Sequence, residues 1–208
     1  MAEALSRIIY TELWQAFWRG ERQALLVTNN GEILENLPHH GGILPGSFNP
    51  LHDGHRQLAE VATIILGNKV NYELSIANVD KPTLDETEVA RRLAQFIGYQ
   101  DIIISRAATF VEKVALLAGC TFIVGYDTAE RILSARYYPD ETTMQTALRD
   151  IARHGSRFLV ACRKQGEELK CLEDLRVPIQ WQHLFSGISA NLFRVDISST
   201  LLREQQED

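Results

Sequence analysis

Gly42-Ile43-Leu44-Pro45-Gly46-Ser47-Phe48-Asn49-Pro50-Leu51-His52-Asp53-Gly54-His55 runs from a short apolar segment through a glycine turn into an amphipathic stretch. Ile43 and Leu44 read as a brief strand, and the spacing beyond it predicts a helix over 53–66. The alternation continues down the chain. Strands are expected at 73–78, 101–105, 121–124 and 158–161, and helices at 85–97, 108–118, 127–136 and 142–153. Short strands separated by helices of 10–15 residues imply βαβ units and a parallel sheet covered on both faces. The expected fold is therefore a doubly wound α/β domain over residues 41–208. Upstream, Leu5, Ile8, Ile9, Leu13, Trp14 and Phe17 recur at helical spacing, predicting a helix over 3–18 that Gly20 ends. Ala24 to Thr28 suits a strand, with Asn29-Asn30-Gly31 a turn behind it. Residues 1–40 are read as an N-terminal appendage.

The 208 residues fit one domain, and 45% hydrophobic with 23% charged residues excludes a disordered or fibrous chain. Lys plus Arg number 21 against 27 Asp plus Glu, a formal charge of −6. Nucleic acid is an unexpected partner for such a chain, since displacing phosphate counterions needs clustered cations. The longest apolar run, Val61 to Leu66, is far shorter than the ~20 residues of a membrane helix. No basic-then-apolar signal opens the chain, so a cytoplasmic protein is expected. Cys120, Cys162 and Cys171 are scattered and form no CxxC, which predicts reduced thiols, with Cys120 and Cys162 in core strands.

Open α/β sheets bind ligands at the carboxyl ends of their strands. The junctions after Leu44, Ala77, Val124 and Cys162 and near Val195 are thus the places for chemistry. At the first, Gly46 permits close backbone approach. His52 and His55, three residues apart, can share one side of the first helical turn, where free N–H groups favour an anion. The plainer reading has Asp53 capping the helix and both histidines solvated. A metal site is not expected, for the pair has no evident third ligand. Near Val195, Asp196-Ile197-Ser198-Ser199-Thr200-Leu201-Leu202-Arg203 either caps a helix or offers hydroxyls and a guanidinium to a phosphate.

Together, the Gly46-to-His55 segment and the Ile197-to-Arg203 segment resemble the HxGH nucleotidyltransferase superfamily. The nearest pattern is that of the nicotinamide and nicotinate mononucleotide adenylyltransferases, GSFNPxHxGH followed late by ISSTxxR. The resemblance implies a Rossmann-like nucleotidyltransferase domain. It implies that Gly46, Ser47 and Phe48 lie along the nucleotide and that His52 and His55 contact its triphosphate. Ser198, Ser199, Thr200 and Arg203 would hold the departing β- and γ-phosphates. Gly125-Tyr126-Asp127 matches a Gly-x-Asp that contacts the ATP ribose, although Asp127 also suits a simple helix start. Lys81 stands where relatives often place a phosphate-binding lysine, with a solvated loop lysine as the alternative. Arg163, at a strand end, is expected to be structural or ligand-orienting. Arg91 and Arg92 read as the wet face of a helix.

Two features depart from that pattern. Ala135 stands where bacterial relatives stack the pyridine ring on a tryptophan, leaving Tyr137 or Tyr138 to supply an aromatic face. Trp14, Trp18 and Trp181 read as packing residues. The chain also runs only five residues past Arg203. The resemblance implies transfer of AMP from ATP, with Mg²⁺ arriving on the nucleotide, to a phosphate-bearing small-molecule acceptor. Alternatives are an ATP-binding or ATP-hydrolysing relative, and adenylyl or cytidylyl transfer to another acceptor. No motif separates nicotinamide from nicotinate, and the oligomeric state is not legible.

Overall fold

The computed structural model describes Ile8, residues 11–79 and residues 82–193. Lys81, Ser198, Ser199, Thr200 and Arg203 lie outside the described residues, so their expected roles stay expectations.

Helix α1, Glu12–Trp18, starts at Thr11, whose hydroxyl accepts the Trp14 N–H, and buries Trp14, Ala16 and Phe17. Strands β1 (Ala24–Val27) and β2 (Ile33–Leu34) follow, joined through the Asn29–Gly31 turn, where Gly31 takes φ +85°. Then come β3 (Gly42–Pro45), α2 (Asp53–Leu66), β4 (Val70–Ser75), α3 (Glu86–Leu93), β5 (Ile102–Ser105), α4 (Phe110–Leu116) and β6 (Thr121–Gly125). The chain continues through α5 (Tyr126–Ile132), a 3₁₀ turn at Ala135–Tyr137, α6 (Glu141–Arg153) and β7 (Arg157–Ala161). A hairpin of β8 (Arg163–Gln165) and β9 (Glu168–Lys170) precedes β10 (Phe185–Gly187). Asp85, Thr109 and Asp140 cap the starts of α3, α4 and α6 by accepting backbone N–H groups, as short oxygen-bearing side chains do. Among the described residues, no helix is long and apolar enough to cross a membrane.

Eight strands form one sheet in the order β10-β7-β6-β3-β4-β5-β1-β2. Every pairing from β10 to β5 is parallel, while β1 pairs antiparallel with both β5 and β2. The residues read as an appendage therefore extend the sheet. Ala24 to Val27 lie opposite Ser105 to Ile102 and take up hydrogen bonds that an uncovered β5 would leave open. Strand alternation sends successive side chains to opposite layers. Leu25, Leu44, Leu74, Ile102 and Ile104 join the core beneath α1, α2 and α3. Ile43, Ile103, Phe122, Val124, Phe158 and Val160 join the core beneath α4, α5 and α6. The chain winds outward from β3 to β5, then crosses to β6 on the other side of β3. That reversal leaves a crevice at the strand ends.

Several expectations need correction. The strand expected at 73–78 is Val70–Ser75, because Asn71 and Glu73 are buried within it and break its apolar run. The helix expected at 127–136 stops at Ile132 and yields to the 3₁₀ turn. Cys162 and Cys171, expected as reduced thiols, form a disulfide, because the β8–β9 hairpin brings them together; Cys120 is the buried thiol. Cys120 and Cys162 each sit beside a strand end rather than within a strand.

Candidate active site

The Gly46–His52 loop leaves β3 at the reversal. A Cβ at Gly46 would lie 2.6 Å from the Phe48 ring. Glycine is thus required here by Phe48 as well as by any approaching ligand. Phe48 adopts φ +47°, a left-handed conformation costly for a non-glycine residue. Its ring is fully buried against His55, Tyr72 and Phe96. The Phe48 side chain is therefore a core anchor, which leaves its backbone to meet a ligand.

Two residues near the end of α3 hold this loop. The Gln95 amide donates to the Phe48 carbonyl at 2.8 Å and accepts the Leu51 N–H at 2.8 Å. Arg92 Nη1 donates to the Ser47 carbonyl at 2.9 Å, and its Nε to Glu88 Oε1 at 2.7 Å. Hydrogen bonds from Arg91 and then Arg92 hold the Glu88 carboxyl down at about 2. Arg92 is only 8% exposed, which overturns the reading of a solvated residue. Its position was legible: Val89, Arg92, Leu93 and Phe96 share one buried helical stripe.

His52 is the N-cap of α2 and His55 lies in its first turn. Their rings stack at 3.7 Å between centroids. The His52 backbone N–H donates to His55 Nδ1 at 3.3 Å. An accepting Nδ1 leaves the proton of a neutral His55 on Nε2. Burial, with the neighbouring His52 second, pushes His55 down to about 3, and burial also lowers His52. Both rings are hence neutral near pH 7. His52 Nδ1 is buried without a hydrogen-bond partner among the described residues. The site therefore presents oriented imidazole donors without the cost of a buried charge.

Across the crevice, Gly125 is the N-cap of α5 and Asp127 sits in its first turn. Arg163, at the start of β8, binds both Asp127 oxygens, at 3.1 and 3.2 Å. This cleft of about 850 Å³ is lined by Gly46, Ser47, His52, His55, Gly125, Asp127 and Arg163 among others. Tyr137 is also at the cleft, with the Arg136 and Arg131 guanidinium groups 4.6 and 5.6 Å from its ring centre. Tyr138 donates its hydroxyl to the Ile132 carbonyl at 3.1 Å and packs on the core. Trp14, Trp18 and Trp181 all pack on core clusters.

The cleft also contains two charges absent from the sequence expectations. Lys113 Nζ donates to both Glu73 oxygens, at 2.6 and 2.7 Å, and Ser105 Oγ donates to Oε1 at 2.5 Å. Glu73 is fully buried and Lys113 nearly so, yet both line the cleft. No group of three His, Cys, Asp or Glu side chains suited to a metal occurs among the described residues.

The structure thus brings Gly46, Ser47, His52, His55, Gly125 and Asp127 to one cleft, though they are separated by some 80 positions of sequence. The cytidylyltransferase-like family profile matches residues 43–205. Over 149 residues the chain is 29% identical to a Schizosaccharomyces pombe protein named "Putative nicotinamide mononucleotide adenylyltransferase". That match covers 65% of this chain and 57% of the relative, so this chain spans well under two thirds of the relative's length.

Proposed function

The chain belongs to the cytidylyltransferase-like family, and we propose that it transfers AMP from ATP to nicotinamide or nicotinate mononucleotide, releasing pyrophosphate. The observation that carries this reading is the pair of stacked neutral histidines at the start of α2, which line one cleft with Asp127 and Arg163. The named relative supports the pyridine acceptor.

In this reaction an oxygen of the acceptor's phosphate attacks the α-phosphorus of ATP. The new O–Pα bond forms as the bond to the β-phosphate oxygen breaks, and that electron pair leaves on pyrophosphate. No protein nucleophile is needed. His55 Nε2–H and His52 donate to phosphate oxygens on which charge accumulates. Asp127 accepts from the ribose hydroxyls, with Arg163 fixing its rotamer. Ser47 and Gly46 bring backbone to the phosphates. Arg92 and Gln95 act as positioning residues by holding the loop that bears both histidines. Magnesium belongs to the substrate, as MgATP, and screens phosphate charge. Ser198, Ser199, Thr200, Arg203 and Lys81 are proposed as further phosphate contacts from the motif match alone.

The deciding experiment measures pyrophosphate release by purified protein with Mg²⁺ and ATP or CTP. The acceptors are nicotinamide mononucleotide, nicotinate mononucleotide, phosphopantetheine and none. Release that needs ATP and a pyridine mononucleotide is expected. Release with another acceptor would replace the substrate, and acceptor-independent hydrolysis would replace transfer altogether.

A further inference from the structure

We infer that Glu73, Lys113 and Ser105 form the wall of the cleft that selects the acceptor's ring substituent, favouring the neutral carboxamide of nicotinamide mononucleotide over the carboxylate of nicotinate mononucleotide. The inference rests on the pyridine-acceptor reading above. Its starting point is an ion pair in an improbable place. Glu73 lies on a central strand covered on both faces and is fully buried, while Lys113 is 6% exposed on the inner stripe of α4. A buried pair is weak evidence for stability, because desolvation opposes the attraction, and apolar residues of similar volume often serve as well. This pair also lines the ligand cleft, so it has something else to meet.

Its unused donors and acceptors define what it would meet. An ammonium carries three N–H donors. Lys113 directs two at Glu73 and has no third acceptor among the described residues. Glu73 Oε1 accepts from both Lys113 and Ser105, whereas Oε2 accepts from Lys113 alone. Each carboxylate oxygen can accept about two hydrogen bonds, so Oε2 retains acceptor capacity. The wall as a whole is neutral and offers one donor beside one acceptor. A carboxamide presents the complement, a carbonyl oxygen beside an NH₂ group. A carboxylate has no donor for Glu73 and would bring a second negative charge against it in a poorly solvated site.

Location fits the same role. Asp127, Arg163 and the two histidines lie at the junctions that follow β3, β6 and β7, where the nucleotide is assigned. Glu73 is on β4 beside β5, and Lys113 reaches it from the buried face of α4. Phe110 at the start of α4 and Tyr138 after α5 pack on the same core layer, so both rings share this face of the sheet.

The test compares kcat/KM for the two mononucleotides at saturating MgATP. The wild type is expected to favour nicotinamide mononucleotide by at least about tenfold, the scale of one hydrogen bond to a charged group. Glu73→Gln leaves the Lys113 charge uncompensated, and the ratio should swing toward nicotinate mononucleotide by about tenfold or more. Should that variant fail to fold, the double variant Glu73→Leu with Lys113→Met keeps the wall neutral and apolar, and its preference should fall to near unity. Use of both acceptors without preference, or a preference unmoved in a folded variant, overturns this inference and leaves the pyridine-acceptor reading standing. A wild type that uses neither mononucleotide overturns both.

Discussion

Replacing Gln95 with leucine keeps side-chain volume while removing both hydrogen bonds that hold the Phe48–Leu51 backbone. The Phe48 carbonyl and Leu51 N–H would then be left inside the protein without their partner. An unsatisfied buried polar group costs about 1–3 kcal/mol, so losing both partners costs roughly 2–6 kcal/mol. Phe48 at φ +47° adds to the effect, since the strained conformation loses the restraint that Gln95, just past α3, places on its carbonyl. For a chain of this size, that destabilisation lowers the melting temperature by roughly 5–25 °C. The same change loosens the loop bearing His52 and His55, and a small displacement of a reacting group lowers turnover by roughly 10- to 100-fold. Thermal unfolding followed by circular dichroism reads the first effect, and pyrophosphate release reads the second. Gln95→Glu keeps an acceptor for Leu51 but loses the donor to Phe48, so it should fall between wild type and leucine. A Gln95→Leu protein that melts within about 1 °C of wild type and turns over normally would refute the assignment of this loop's geometry to α3.

Other consequences are equally direct. His55→Ala should lower kcat by at least ~10²-fold while the far-ultraviolet spectrum is preserved, the scale of losing one oriented donor to developing charge; full activity would end the mechanism. His55 also makes folding acid-sensitive. Its folded value of about 3 lies below the ordinary 6.5, so as pH falls below 6.5 the unfolded chain takes up the proton first and stability declines toward pH 3. At pH 5 the loss attributable to this ring is about 2 kcal/mol. Denaturant titrations from pH 7 to 5 should show a shallower decline in His55→Ala, and identical slopes would contradict the neutral buried imidazole. Asp127→Ala breaks a half-exposed ion pair, so the melting temperature should move little while KM for ATP rises. An unchanged KM would remove Asp127 from the ribose contact.

How much of this was legible in the chain depends on the range of the interaction that decides each feature. Alternating apolar runs and helical stripes are local, and they sufficed for a doubly wound α/β fold and for most helices within a few residues. The His52–His55 turn was legible for the same reason, since three residues of helix fix their shared side. Asp127 stood out through the Gly-x-Asp resemblance, and Arg163 through its place just after an apolar strand, where the fold class places ligands. Other features depend on pairings between distant segments. The pairing of β1 with β5 made part of an apparent appendage the antiparallel edge of the main sheet. The hairpin after β7 made a disulfide of two cysteines nine positions apart. Arg92, Glu73 and Lys113 show the boundary most clearly. All three sit among buried apolar positions, so the local pattern marks them as facing inward, yet it cannot say what awaits them there. Burial is a property of the local period. The partner that makes a buried charge tolerable is supplied by another strand or helix, and only the tertiary structure decides which one it is.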